Sequence, residues 1–527
     1  MKIRLFKLLI VLICSCEQPP IIGPINDLDL IPYPNQIISS NQALKISSIN
    51  SIIGNEKIND LLKIINEEWG GLLQSLDTKK GDSPKSDSIF LQIDNDMDVS
   101  SIEGYILEIT SNRIIIRGKT GEGVYRGWQT LTQIIELSQN GDNPNYIPTG
   151  KIIDEPEYGY RGTMLDVARH FFTPEEVKGH IDLISYYKIN HLHIHLSDDQ
   201  GWRIEIKSWP KLTEKGSLTE VGGEKGGFFS QDEYKEIVSY AATKFITIVP
   251  EIDIPGHTNS ALASYEKLNC DGKLRDLYTG TNVGFSTLCN TEYTYQFIDD
   301  VIRELSSISP GPYFHIGGDE SHVTKKKDYI EFINRTSAIV KKYNKKIIGW
   351  DDINIADIPT NTVLQFWNYS QRPDNQDWDG QIGFKNILNG LKKDPKVLLS
   401  PAGLMYLDMK YDSLTNLGLN WAGYINVKKG YDWSVEELFS EIPSDKIIGI
   451  EAPLWTETAA NSSDLEFLTL PRLPGYAEIG WTKSSFRDWS DYKDRLASHS
   501  LIWDIKDINY YSSPLIQWLE KNKKIIN

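Results

Sequence analysis

An α/β fold, a (β/α)8 TIM barrel preceded by a small α+β domain, is predicted by two patterns and the change between them. From Arg161 onward, eight short apolar runs alternate with amphipathic helical stretches, the signature of βα units around a parallel sheet. These units cover roughly 340 residues, within the about 200 to 400 that such barrels occupy. Before residue 154 the alternation is missing, and strand patterns mix with single helices. An open doubly wound sheet is the alternative arrangement of the same units.

The first sixteen residues, MKIRLFKLLIVLICSC, combine a basic start, an apolar core too short to span a bilayer and a small residue before Cys16, as in an export signal. Ile13-Cys14-Ser15-Cys16 resembles a bacterial lipobox, in which the cysteine is lipidated and becomes the mature N-terminus. An ordinary signal peptide cut nearby is the alternative. The polar, proline-containing EQPP directly after Cys16 favours an exported lipoprotein anchored at Cys16, facing the periplasm or the cell surface.

Residues 17–153 read as the α+β domain. Its signals are a helix over LLKIINEEWGGLLQSL (61–76), a strand pair over YILEITSNRIIIRG (105–118), and a strand end, glycine turn and helix over GKTGEGVYRGWQTLTQIIEL (118–137). The spaced glycines lack the GK[ST] ending of a phosphate loop, and no βαβ unit with a downstream acidic residue comes after them. DEPEYGYRG (154–162) reads as the linker, residues 154–505 as the barrel and 506–527 as a C-terminal tail. The barrel strands in order are GTMLDV, HLHIHL, FITIVPEI, YFHIGG, KIIGW, TVLQFW, KVLLS and IIGIEA. Two of the intervening helices begin with capping boxes, Thr173-Pro174-Glu175-Glu176 and Ser230-Gln231-Asp232-Glu233, where hydroxyl and Glu satisfy free N–H groups.

Composition narrows the partners. The 527 residues are 40% hydrophobic and 11% aromatic, with 14 Trp and a net charge of -17. Such an acidic surface repels nucleic acid and anionic membrane, so no nucleic-acid partner is expected, and membrane contact only through the lipid. Without the leader, only Cys270 and Cys289 remain. In an oxidising compartment they are expected to pair as a disulfide, two free buried thiols being the alternative. No metal-ligand spacing is evident and no cofactor is expected; the period-two His191, His193 and His195 read as strand residues facing packed layers.

In this kind of barrel the active site lies at the C-terminal strand ends. The residues just after each run are Ser197-Asp198-Asp199, then Glu251-Ile252-Asp253 with His257, then Asp319-Glu320, Trp350-Asp351-Asp352, Trp367, Tyr406-Leu407-Asp408 and Trp455-Thr456-Glu457. One such residue is ordinary loop polarity; their recurrence after strand upon strand points to a carbohydrate. Sugar faces carry C–H groups that stack on indoles, and sugar hydroxyls donate to carboxylates. Glycoside hydrolysis needs a carboxylic acid to protonate the leaving oxygen and a second group to stabilise the oxocarbenium-like centre. Adjacent residues at one strand end point in different directions, so Asp319 and Glu320 do not flank a bond as an ordinary pair.

The run RGTMLDVARHF (161–171), HLHIHLSDDQGWR (191–203), PEIDIPGH (250–257), HIGGDE (315–320), GWDD (349–352), YLDMKY (406–411) and LWTET (454–458) resembles glycoside hydrolase family 20, the β-N-acetylhexosaminidases. The likeness runs in order from the linker to about residue 485. It implies an exo-acting, retaining enzyme that removes terminal β-linked N-acetylglucosamine or N-acetylgalactosamine from glycans, with the substrate's own 2-acetamido oxygen as nucleophile. By matching positions, Glu320 is implied as general acid and base, Asp319 as acceptor of the acetamido N–H, and Tyr406 as donor to the acetamido carbonyl. Trp350, Trp367 and Trp455 are implied as pocket walls, Arg161, Asp408 and Glu457 as binders of ring hydroxyls, and Asp198 and His257 as groups tuning Glu320. Arg161 rests on the resemblance alone; read from the residues, Asp166, Arg169 or His170 is better placed. An ionised Asp319 is expected to raise the pKa of Glu320. Two other readings remain open: a retaining barrel glycosidase with an enzymic nucleophile such as Glu251 or Asp253, and an inactive glycan-binding lipoprotein at the cell surface.

Overall fold

The computed structural model describes residue 20 and residues 22–72, 76–140, 143–369 and 382–519. The leader with Cys16, residues 371–381 and the end of the expected tail from 520 lie outside them.

Seven strands form the N-terminal sheet: β1 Gln36–Lys45, β2 Ser51–Gly54, β3 Asp77–Lys80, β4 Ser88–Ile93, β5 Tyr105–Thr110, β6 Arg113–Gly118 and β7 Tyr146–Asp154, in the order β1-β7-β5-β6-β4-β2-β3. β5 and β6 are the expected antiparallel pair. Tyr105, Leu107 and Ile109 of β5 and Ile114 and Ile116 of β6 are buried while their neighbours are half exposed, so one face of the sheet carries the apolar set. That face packs on α1 (Asn59–Leu72) and α2 (Gly121–Gln139) through a core containing Trp69 and Trp128. Thr120 starts α2 by accepting from the N–H groups of Glu122 and Gly123, the strand end, turn and helix start that the sequence indicates.

The eight expected runs close into one parallel barrel: β8 Tyr160–Asp166, β9 His191–His195, β10 Thr247–Glu251, β11 Tyr313–His315, β12 Lys346–Trp350, β13 Val363–Phe366, β14 Lys396–Leu399 and β15 Ile447–Leu454, with β15 pairing back to β8. Both predicted capping boxes are formed, at Thr173 and Ser230. One layer of the interior is apolar, with Val249, Ile348, Val363 and Leu398 packed beside Tyr160. Another is polar. Glu451 accepts from Tyr160 Oη at 2.7 Å and Gln365 Nε2 at 2.8 Å, and lies 2.9 Å from His193 Nδ1. Residues 506–519 do not trail away, because Ile516 is buried and Tyr511 stacks on Tyr411 with ring centroids 4.0 Å apart.

A buried ion cluster joins the sheet domain to the N-terminal end of the barrel. Glu103 receives Arg126 Nε at 2.8 Å and Arg161 Nη1 at 2.9 Å, and Asp154 accepts from Tyr105 Oη at 2.8 Å and Trp481 Nε1 at 2.9 Å. Burial alone would raise the Glu103 carboxyl, but Arg161 and Arg126 outweigh it and bring it down to about 2. The site is therefore carried by a barrel braced from below.

Candidate active site

The rim residues converge around the end of β11, where His315-Ile316-Gly317-Gly318-Asp319-Glu320 leaves the barrel. Gly317 and Gly318 have φ of 63° and 102°, a region costly for residues with a Cβ. A Cβ on Gly317 would also stand 1.8 Å from Asp253 Oδ1. Both reasons for glycine, close approach and left-handed bend, thus apply at one position. Gly318 N donates to Asp253 Oδ1 at 3.0 Å and Tyr329 Oη donates to Gly318 O at 2.6 Å, which pins the turn. Glu320 is itself left-handed, with φ 45°. The doublet therefore splits: the Asp319 side chain turns inward at 10% exposure, while that of Glu320 keeps 26%.

His257 stands between the two acids. Its Nε2 is 3.5 Å from Glu320 Oε2 and 3.7 Å from Asp319 Oδ2, and its Nδ1 is 3.1 Å from Asp198 Oδ1. Burial alone would neutralise this imidazole, yet Asp198, Asp253 and Asp319 outweigh it and hold it well above the ordinary histidine range. Burial would also raise Glu320, but His257 overrides it and keeps that carboxyl below its usual value. Asp319 is pushed well up, by burial first and then by Asp253. Asp253 rises to about 8 because it is buried beside Glu251, despite His257. The expected order of the doublet is corrected here: without a ligand the proton belongs to the inner Asp253–Asp319 pair, because the imidazolium sits against Glu320 and the inner acids face each other.

Glu251 is spent on the scaffold. Oε1 lies 3.1 Å from Trp350 Nε1 and 2.8 Å from His315 Nδ1, and Oε2 lies 3.0 Å from His193 Nε2 and also meets His195 Nδ1. A fully buried carboxylate with four nitrogen neighbours is not a nucleophile facing a substrate. The same contacts account for His193 and His195, while His191 stacks on Tyr160 with ring centroids 3.8 Å apart. Although His193, Glu251 and His315 converge closely enough to hold a cation, their atoms already serve each other.

Beside the doublet, Trp350, Trp367 and Tyr406 are buried and Trp455 is half-buried, all in one aromatic cluster. Trp350 and Trp455 have centroids 5.9 Å apart, and Tyr406 and Trp455 6.5 Å. Trp367 is oriented by donation from Nε1 to Asp352 Oδ2 at 2.9 Å. The sequence reading missed Trp421, which comes from the excursion after β14 and meets Tyr406 at 5.7 Å and Trp367 at 6.0 Å. An indole in a rim excursion was the available signal.

Asp408 is 1% exposed, yet neither of its carboxylate oxygens has a well-formed hydrogen bond among the described residues, and Glu457 Oε2 is buried in the same condition. Burial raises both carboxyls, Asp408 further through Glu457. Unpartnered buried acceptors cost free energy, and a ligand rich in hydroxyl donors satisfies them. Arg169, in the turn after β8, lies on this side of the site. Its Nη2 is 2.9 Å from Asp198 Oδ2, its Nη1 3.3 Å from Asp166 Oδ2, and its guanidinium carbon 4.7 Å from the Trp455 ring centroid.

Arg161 is not at the site, and its expected role is corrected. It lies near the start of β8, fully buried, paired with Glu103 and bonded to the carbonyls of Lys188 and Tyr158. Five strand residues separate it from the rim, roughly 16 Å at about 3.3 Å per residue. Cys270 and Cys289 are joined in a disulfide, at the ends of the loop that passes beside His257 and Glu320.

Fold and rim together define a carbohydrate-active barrel hydrolase. The model of the glycosyl hydrolase family 20 catalytic domain matches residues 158–330 and 321–484, and that of the family's domain 2 matches residues 27–155. A β-N-acetylhexosaminidase of Cellulomonas fimi is 38% identical over 417 residues, covering 79% of this chain and 82% of its own. A β-hexosaminidase of Porphyromonas gingivalis is 32% identical over 96% of this chain and 67% of its own. The structure of Streptomyces plicatus N-acetyl-β-hexosaminidase in complex with Thio-NAglucal superposes with a TM-score of 0.88 at 40% identity, covering 95% of this chain and 99% of that one. A variant of the Streptomyces plicatus enzyme in complex with product N-acetylglucosamine gives 0.88 at 39% identity, with the same coverage. This chain belongs to glycosyl hydrolase family 20.

Proposed function

We propose that the protein is a β-N-acetylhexosaminidase that removes terminal β-linked N-acetylglucosamine or N-acetylgalactosamine from glycans, exo-acting and retaining, with the substrate's acetamido group as nucleophile. One juxtaposition carries the reading: an acidic doublet split between an inner and an outer position, opening beside a box of Trp350, Trp367, Tyr406 and Trp455, with Glu251 withdrawn into the scaffold. The box suits an acetamido methyl, and Asp319 beside it suits the amide N–H. Tyr406, raised well above its usual range by burial and by Asp408 and Asp319, stays a phenol and donates to the amide carbonyl.

In the first step the acetamido oxygen attacks the anomeric carbon, the glycosidic C–O bond breaks, and Glu320 gives its proton to the departing oxygen. Asp319, ionised, balances the charge that develops on the oxazolinium ring. In the second step Glu320 takes a proton from water, whose oxygen attacks the same carbon and reopens the ring, so configuration is retained. Since an ionised carboxylate is the stronger acceptor for an amide N–H, binding is the event at which the proton leaves the Asp253–Asp319 pair and Glu320 becomes the acid. Asp408 and Glu457 accept ring hydroxyls, with Arg169 donating beside them.

Glu320→Gln should lower turnover of a disaccharide by about 10²- to 10⁴-fold with unfolding behaviour unchanged. Undiminished turnover would refute the assignment. Comparable cleavage of the matching plain glucoside would instead point to an enzymic nucleophile, and saturable binding without product to a glycan-binding protein. From residues 1–16 alone we also propose export and lipid attachment at Cys16.

A further inference from the structure

The loop closed by Cys270–Cys289 ends in a short segment, residues 286–289, that runs between the loop carrying His257 and the loop carrying Glu320. Ser286 is 4% exposed. Its hydroxyl donates to Asp199 Oδ1 at 2.5 Å and accepts from Thr258 N at 2.9 Å. The same Asp199 oxygen accepts from Asn259 N at 2.8 Å. The backbone immediately after His257 is therefore held by one hydroxyl and one carboxylate. Asp199 N in turn donates at 2.6 Å to Asp198 Oδ1, the oxygen that faces His257 Nδ1. Ser286 thus reaches the imidazole from two directions.

The other arm reaches the acid. Thr287 Oγ1 meets Thr324 Oγ1 at 2.7 Å, and Thr324 Oγ1 meets Ser321 Oγ at 2.6 Å, one residue after Glu320. Leu288 N donates to Pro255 O at 3.0 Å, and a Cβ on Gly284 would stand 3.0 Å from Glu320 O. His257 and Glu320 both have left-handed backbones, with φ of 54° and 45°. Such conformations persist only where the surroundings over-determine them, and this segment is a part of those surroundings shared by both residues.

Resting on the reading of Glu320 as general acid, we infer that Ser286 is a positioning residue for the proton transfer. It touches no reacting atom; it fixes His257 against Glu320, and Thr287 secures the same alignment from the acid's side. In the bond-breaking step, which kcat/KM reports, a displaced acid costs rate only where the departing oxygen needs a proton, since an aryl oxide of low pKa leaves unaided. A purely structural role would depress every substrate alike.

The test compares, in the full chain, two N-acetylglucosaminides: a β-linked disaccharide and a dinitrophenyl glycoside. Ser286→Ala should lower kcat/KM on the disaccharide by about ten-fold and on the dinitrophenyl substrate by less than about two-fold. Ser286→Thr should recover most of the loss, and Thr287→Val should reproduce the pattern even if Ser286→Ala folds poorly. Equal losses on both substrates, or no loss on either, would overturn the inference. Glu320→Gln run alongside keeps the two readings apart. If it lacks the leaving-group dependence, the acid assignment fails; if it shows the dependence and the Ser286 and Thr287 variants do not, only the positioning role falls.

Discussion

Arg161→Gln should destabilise the protein while sparing the sugar site. The guanidinium contacts both oxygens of Glu103, Nη1 reaching Oε1 at 2.9 Å, and donates to Tyr158 O at 2.8 Å and to Lys188 O at 3.1 and 3.0 Å. Removing one partner of a buried ion pair costs about 3–5 kcal/mol. Glu103 retains Arg126 at 2.8 Å and Asn190 Nδ2 at 3.1 Å, which pulls the cost to the lower end. The freed carbonyls of Lys188 and Tyr158 add to it, so about 3–4 kcal/mol is expected. With a slope of about 3 kcal/mol per M, the urea midpoint read by tryptophan fluorescence should fall by roughly 1 M. KM for an aryl N-acetylglucosaminide should stay within about two-fold under native conditions, because the site lies roughly 16 Å away along β8. An unchanged midpoint together with a KM raised ten-fold or more would put Arg161 at the sugar after all.

Alkaline stability should depend on the barrel histidines. Burial alone would lower His193 and His195, but Glu251, joined at His193 by Glu451, outweighs it and raises them to about 9 and about 10. Their contribution is complete below about pH 6.5 and is lost as pH rises through the folded values. The unfolding midpoint should fall between about pH 6.5 and 10 and fall less steeply in His193→Gln; identical profiles would remove these histidines as the cause. Incorporation of labelled fatty acid into the expressed chain, abolished in Cys16→Ala, checks the proposed anchor, and labelling that survives the substitution would place the lipid elsewhere.

Local chemistry in the sequence determined most of the architecture. Eight apolar runs, two capping boxes and the period-two residues of β5 and β6 each act within a few positions, where spacing and side-chain type suffice. The rim was legible for the same reason, since residues just past a barrel strand lie at its C-terminal end, and Asp319, Glu320, Trp350, Tyr406 and Asp408 all do. Three matters belonged to the tertiary structure alone. Position along the strand already favoured Arg169 over Arg161 for the rim, but only the docking of Glu103 from another domain shows what Arg161 does at the base of the barrel. Glu251 reads like a free acid until histidines from the two flanking strands, β9 and β11, close on it. The proton order of Asp319 and Glu320 depends on Asp253 and His257, which lie more than sixty residues earlier in the chain. Charge and burial act through space with no regard to sequence distance, so a pattern read along the chain can name the ionisable groups but not their protonation.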